Sequence, residues 1–196
     1  DNYNRSVKCL LHYNQEDEPV ISDTENAINF KQKEIKDYLQ KLMQKDISAA
    51  QHREINMMYS ITNDMERVGD HAENIAELAA YRQEHKIHLS ETAISQLEKL
   101  NEYVRLSCDE TLGMIQTLDT ETARDVVNRE GIINELEKEY REGHMDRLNE
   151  GNCTAESGVV FLDAISNMER CADRLKKVGY VILDYGKAKE KGTKSV

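Results

Sequence analysis

Hydrophobic residues recur along most of this chain at the spacing of an α-helix. The apolar positions are three, four or seven residues apart, so they would lie on one face of a helix. In a half-buried strand, apolar and polar residues would alternate instead. Three such stripes are Ile28, Ile35, Leu39 and Leu42; Ile61, Met65, Val68, Ala72, Ile75 and Ala79; and Met168, Cys171, Leu175, Val178 and Ile182. The pattern predicts an all-α protein.

A fourth helical segment is predicted from Ser90, a suitable N-cap, to about Leu118. Polar and turn-forming stretches predict the breaks between helices. These breaks lie near Glu16–Ser22, which contains Pro19, and near Lys45–Ala49, Gln83–Leu89, Asp119–Thr122 and Glu150–Ser157.

Two motifs occur twice along the chain. The sequence NDMERVGD around Glu66 returns as SNMERCAD around Glu169, 103 residues later, and TENAINFKQKEI from Thr24 matches REGIINELEKEY from Arg129 at an offset of 105. Repetition at a fixed spacing indicates repeated structural units. We therefore predict two copies of a three-helix unit.

The predicted repeats have unequal lengths. Residues 1–85 form the first and 86–186 the second, and residues 187–196 are expected to be a disordered basic tail because they contain few apolar side chains. The first repeat lacks most of its first helix. This pattern suggests that the chain has been cut from a longer protein.

Composition narrows the classes of function. The 196 residues include 37 acidic and 26 basic side chains, a net charge of −11, which argues against nucleic acid as a partner. The four cysteines form no CxxC pair, as expected of reduced thiols in a cytoplasmic protein. Enzyme motifs such as a phosphate-binding glycine loop, HExxH or GxSxG do not occur, so no enzyme activity is expected.

The repeated motif contains two carboxylates four residues apart, Glu66 with Asp70 and Glu169 with Asp173. This spacing places both on one helix face, pointing away from the apolar stripe. One interpretation is a solvated face, on which the adjacent arginines pair locally. The other is a cation site with oxygen ligands, as suits magnesium, calcium, manganese or ferric iron. Four residues of the preceding helices would complete such sites: Glu25 and Asn29, and Glu130 and Asn134.

The repetition favours the cation site, since a solvated face need not preserve the motif twice. The two faces differ nevertheless: Glu73 and Glu77 extend the first, whereas Lys176 and Tyr180 stand at these positions in the second. The second site is therefore expected to bind a metal more weakly, or not at all.

The segments ERVGDHAENIAE from Glu66 and ERCADRLKKVGYVI from Glu169 resemble the repeated signature of the PhoU family. The stretch HMDRLNEGNCTAESGVVFLDAISNMER most resembles the PhoU-like domain fused behind the membrane part of bacterial Na/Pi cotransporters. The resemblance implies a six-helix fold of two three-helix bundles. It also implies multinuclear iron or zinc clusters, with the ligands Glu66, Asp70, Glu169, Asp173, Glu25 and Glu130, and with Asn29 and Asn134 where a second acid often stands.

The resemblance further implies regulation of phosphate uptake and signalling, through a homodimer, a membrane transporter and a phosphate-signalling partner protein. We therefore expect a non-enzymatic regulatory domain of phosphate homeostasis. It would be cytoplasmic and attached to a sodium-dependent phosphate transporter through a missing N-terminal transmembrane region. The alternative is a metal-free structural adapter, whose apolar stripes mediate dimerisation.

Overall fold

The structure is a computed structural model, which describes the backbone of residues 1–193 and the side chains of residues 1–189. All regular elements in this part of the chain are helices, so the prediction of an all-α protein is confirmed. In chain order they are α1 (Asn2–Leu11), α2 (Asp17–Met43), α3 (Ala49–Glu84), α4 (Glu91–Thr117), α5 (Thr120–Asn149) and α6 (Ala155–Thr193).

Side-chain caps stabilise the starts of α3, α4 and α5. Ser48 forms a capping box with Gln51 at the start of α3, and the Oγ of Ser90 accepts a hydrogen bond of 3.2 Å from the backbone N–H of Ala93 in α4. Asp119 accepts one of 2.9 Å from the N–H of Glu121 in α5. These oxygens satisfy backbone donors that have no partner within the helix. The predicted N-cap at Ser90 is confirmed.

Two boundaries differ from the sequence-based predictions. Helix α2 begins at Asp17, so Pro19 lies inside its first turn, where a proline is tolerated because no backbone N–H is needed there. Helix α6 runs to Thr193, so the prediction of a disordered tail is wrong for residues 187–193. Lysine, alanine and glutamate are good helix formers and extend α6 without an apolar stripe. Residues 194–196 lie outside the described part of the chain.

One hydrophobic core serves both halves of the chain. Helices α1 and α2 pack on α3, α4 and α5 pack on α6, and α3 packs against α6 at the centre. The largest fully buried side chains come from both halves and include Leu10, Ile75, Leu100, Phe161, Met168 and Leu175.

Equivalent residues of the two repeats meet where α3 crosses α6. The Sγ of Cys171 lies 3.8 Å from the backbone oxygen of Val68, its equivalent 103 positions earlier. Arg174 pairs with Asp64 at 3.6 Å, and the equivalent two residues, His71 and Asn167, are joined at 3.3 Å. Reciprocal contacts of this kind mark an approximate two-fold axis between α3 and α6.

Helix α1 has 10 residues, whereas its counterpart α4 has 27. The first half of α4, residues 91–106, therefore has no equivalent in the described first repeat. In the second repeat this half-helix contributes buried Leu97, Leu100 and Val104 to the core. In the first repeat several large apolar side chains of α2 and α3 are exposed instead: Phe30, Ile35, Tyr38, Met58 and Tyr59.

The four cysteines, Cys9, Cys108, Cys153 and Cys171, are free thiols. Among residues 1–193, no helix combines the length and the apolar character needed to cross a lipid bilayer.

Candidate metal sites

The first carboxylate face lies between α2 and α3. Glu25 of α2 is close enough to Glu66, Asp70 and Glu73 of α3 for their charges to act on it. Glu66 and Asp70 are half-buried, because the side of α3 that points away from the core stripe faces α2 rather than open solvent. The structure thus brings together the predicted residues of the first repeat.

Glu25 is the most unusual side chain of this face. It is only 2% exposed, and neither carboxylate oxygen has a hydrogen-bonding partner of ordinary geometry. Burial, and then the charges of Asp70, Glu73 and Glu66, raise its pKa to about 7, while the amide of Asn29, one turn further on, offsets this rise slightly. A buried carboxylate without a partner is costly, and a nearby cation relieves that cost.

Gly69 provides the space for Glu25. A Cβ atom at position 69 would collide with Oε2 of Glu25, so the close approach of this side chain to α3 requires glycine. The carboxylate therefore lies directly against the α3 backbone at Gly69.

Arg67 is the cation nearest to this face on α3. Its guanidinium contacts Asp70 at 2.7 Å and Glu66 at 3.7 Å. This is the local pairing that the solvated-face interpretation predicts. The Arg67 side chain is 57% exposed, however, and such surface pairs contribute little stability. Arg67 leaves Glu25 unpaired.

The second carboxylate face lies between α5 and α6, and two lysines pair with its carboxylates. Lys176 Nζ lies 2.6 Å from Oε1 of Glu130 on α5 and 3.3 Å from Oδ1 of Asp173 on α6. Lys177 Nζ contacts the other oxygen of Asp173 at 2.7 Å. Glu130, which is 7% exposed, therefore has the cationic partner that Glu25 lacks.

The pKa shifts on the second face reflect these contacts. Burial raises the pKa of Glu169, as do the charges of Asp173, Glu130 and Glu137. Burial also acts to raise the pKa of Asp173, but hydrogen bonds from Lys177 and Lys176 outweigh it and lower that pKa. For Lys176, burial is outweighed by hydrogen bonds to Glu130 and Asp173, so its pKa is raised.

Two further observations concern α5. Glu137, which sequence reasoning missed, is close enough to influence Glu169 and forms an ion pair with Arg141. Glu137 lies seven residues after Glu130, which is two helical turns along the same face. This spacing could have predicted that Glu137 belongs to the second carboxylate face. Asn134, by contrast, is exposed and makes no side-chain hydrogen bond within the described residues.

Within the described residues, no three His, Cys, Asp or Glu side chains converge closely enough to hold a metal ion as they stand. Like-charged carboxylates repel one another, so such a separation is expected without a cation between them. The donors of the first face fit a hard metal ion: they are oxygens, and among the described residues buried Glu25 has no cationic partner. The second face does not fit as it stands, because Lys176 already occupies it.

The PhoU domain model matches residues 1–79 and 97–182. The chain belongs to the PhoU family. A curated relative is the phosphate-specific transport system accessory protein PhoU homolog 1 of Thermotoga maritima, 30% identical over 130 residues. The match covers 63% of this chain and 52% of the relative, so the chain spans about half the length of that protein.

Two solved structures share the fold. PhoU from Pseudomonas aeruginosa superposes with a TM-score of 0.87 at 17% identity, over 95% of this chain and 89% of that one. The phosphate transport system regulatory protein PhoU from Streptococcus pneumoniae gives 0.84 at 18% identity, over 94% and 86%. The predicted PhoU-like six-helix arrangement is thus confirmed.

Proposed function

We propose that this chain is a non-enzymatic regulatory domain of phosphate homeostasis that binds metal ions on its first carboxylate face. The observation that carries the metal proposal is Glu25, a buried carboxylate without a partner and surrounded by three others. Membership of the PhoU family and the name of the Thermotoga maritima relative support the link to phosphate transport.

Glu25, Glu66 and Asp70 would hold the metal, with Asn29 and Glu73 at the margin of the site. Oxygen ligands favour a hard cation such as ferric iron, and zinc is the other metal implied by the resemblance. A bound ion would neutralise the face and offer coordination positions to phosphate oxygens. In the second repeat, Glu130, Glu169, Asp173 and Asn134 stand at the corresponding positions.

We further propose that the domain acts in the cytoplasm, as a homodimer, beside a membrane phosphate transporter of the same chain or complex. The likeness of residues 144–170 to the domain fused to Na/Pi cotransporters supports a sodium-dependent transporter. A phosphate-signalling partner protein would receive the regulatory output.

Elemental analysis of the purified protein tests the metal proposal. The double variant Glu66→Ala/Asp70→Ala should lose the metal that the wild type carries in stoichiometric amounts. Glu98→Ala/Glu102→Ala is a matched control, because these two carboxylates are also four residues apart on a helix but are exposed. If all three proteins carry the same trace of metal, the proposal fails.

The metal-free adapter remains a second proposal because of the exposed apolar side chains Phe30, Ile35, Tyr38, Met58 and Tyr59 on α2 and α3. Exposed large apolar side chains are a feature of surfaces that bind another protein. Mass measurements in solution, with and without a chelator, separate the two proposals. A dimer that never holds metal and is unchanged by the chelator would favour the adapter.

A further inference from the structure

We infer that Lys176 is a built-in cation of the second carboxylate face, so that only the first face takes up metal. This inference rests on the proposed metal-binding function. It assigns the two repeats different roles: one face is loaded from solution, whereas the other is permanently neutralised by the protein's own ammonium group.

The residues of the two faces occupy equivalent positions in the two repeats. The offsets between the repeats align Glu25 with Glu130, Glu66 with Glu169 and Asp70 with Asp173. The next residue on the same helix face, three positions further on, is Glu73 in the first repeat and Lys176 in the second. A single position thus changes from one more carboxylate to an ammonium group.

Lys176 lies between the two helices of the second face. Its Nζ joins Glu130 of α5 to Asp173 of α6, at 2.6 and 3.3 Å. A metal ion on such a face would join the same two helices through the same two carboxylates. Three N–H donors of an ammonium group can satisfy both oxygens at once, so Glu130 and Asp173 are paired across the two helices without a metal.

The first face differs from the second. Among the described residues no cation pairs with Glu25, and neither of its carboxylate oxygens has a hydrogen-bonding partner of ordinary geometry. Within the part of the chain that the structure describes, Glu66 and Asp70 pair only with Arg67, which comes from α3 itself and is 57% exposed. Glu25 of the first face therefore lacks a cationic partner, whereas the equivalent Glu130 of the second face pairs with Lys176.

Metal entry at the second face would require Lys176 to leave. Glu130 and the ammonium are both largely shielded from water, and breaking such a pair by removing one partner is strongly unfavourable. A metal ion would have to displace the ammonium and leave it without its acidic partners, which selects against binding there.

Exchanging the charges tests the inference. The variants are Glu73→Lys, Lys176→Glu and the double exchange, each loaded with ferric iron or zinc and measured by elemental analysis. Glu54→Lys and Lys138→Glu make the same changes of net charge at exposed positions on α3 and α5. Circular dichroism establishes that each variant is folded.

We expect Glu73→Lys to lose the metal, Lys176→Glu to hold about twice the wild-type amount, and the controls to match the wild type. The double exchange should hold the wild-type amount of metal. Adding Glu169→Ala and Asp173→Ala to the double exchange should remove this metal, because it would then be bound at the second face. Because Lys176→Glu concentrates acidic groups and could unfold the chain, Glu169→Ala/Asp173→Ala in the otherwise unchanged protein provides an independent test: its metal content should equal that of the wild type.

Two results would overturn the inference while leaving the proposed function intact. One is a loss of metal in Glu169→Ala/Asp173→Ala comparable to the loss in Glu66→Ala/Asp70→Ala. The other is folded Lys176→Glu protein with no additional metal. A wild type that takes up no metal at all would instead refute the proposed function, and this inference with it.

Discussion

At the scale of single residues, two equivalent glutamates differ in whether a cation pairs with their carboxylate. Glu25 and Glu130 are both buried between helices, but only Glu130 has a cationic partner, Lys176. The pKa of Glu25 is raised from 4.5 to about 7. The same substitution at the two positions should therefore have opposite effects on stability.

Glu25→Gln should stabilise the metal-free protein at neutral and alkaline pH. The folded-state pKa of Glu25 lies above its unfolded value of 4.5, so the cost of its charge is absent in acid and grows as the pH rises from 4.5 to about 7. The full shift corresponds to about 3 kcal/mol. Urea unfolding should show this gain at about pH 8 and its disappearance at about pH 4.

Glu130→Gln is the matched control at the equivalent position. It leaves Lys176 without its α5 partner, so it should lower the free energy of unfolding at neutral pH. An equal effect of the two substitutions would contradict the difference between the faces.

Gly69→Ala should weaken metal binding and leave the fold intact. The added methyl displaces the flexible end of Glu25, not the backbone, and alanine favours the helix by up to about 1 kcal/mol. Metal affinity should fall by about 10- to 100-fold, as is usual when a ligand's support is disturbed. Titrating metal into each metal-free protein measures these affinities. Gly131→Ala is the control for helix propensity, because the added carbon would meet no neighbouring group within 4 Å.

The sequence predicted much of this residue-level picture. Helix spacing was sufficient to predict that Glu66 and Asp70 share one face of α3, and the second repeated motif pointed to Glu25 on the preceding helix. It could not show that Lys176 reaches across to Glu130, since that contact depends on the rotamer of a long side chain and on how α5 packs against α6. Glu25's lack of a partner likewise appears only once the neighbouring helix is in position.

At the scale of helices, the main asymmetry is the short α1. The first half of α4 helps to bury the core face of the second repeat, and the described first repeat has no such segment. Equivalent apolar positions therefore differ in burial: Met58 is 42% exposed, whereas Phe161, 103 residues later, is fully buried.

Truncating these two equivalent side chains should have very different costs. Phe161→Ala should destabilise the protein by about 3–5 kcal/mol, because it leaves a cavity in a packed core. Met58→Ala should cost less than about 1 kcal/mol, as is usual for exposed positions. Thermal and urea unfolding provide both values, and similar losses would mean that Met58 is covered in solution.

Helices were easier to predict than their ends. Periodicity predicted their existence because burial of an apolar stripe stabilises a helix in any context. Pro19 and residues 187–193 were misjudged because proline fits a first helical turn, and because a helix can continue on propensity without apolar residues.

At the scale of the whole molecule, the two repeats are joined into one body by α3 and α6. The crossing of Val68 with Cys171, and the reciprocal pairs around it, could not be derived from the repeat, since equal halves can pack in many ways. The shared core makes the halves interdependent, although the sequence divides into two units.

The protein should therefore unfold in one cooperative step. Far-ultraviolet circular dichroism and tyrosine fluorescence should give coincident urea transitions, because neither repeat keeps its core when the other is lost. Transitions with separate midpoints would show that each repeat folds alone, in contradiction to the shared core.

The central claim is that metal binds to the first carboxylate face and not to the second. Anomalous diffraction from crystals of the iron-loaded protein tests it most directly, because it locates the metal itself. We expect an anomalous peak between α2 and α3 beside Glu25, Glu66 and Asp70, and none beside Glu130 and Asp173. A peak at the second face, or a loaded protein without a peak at the first, would contradict it.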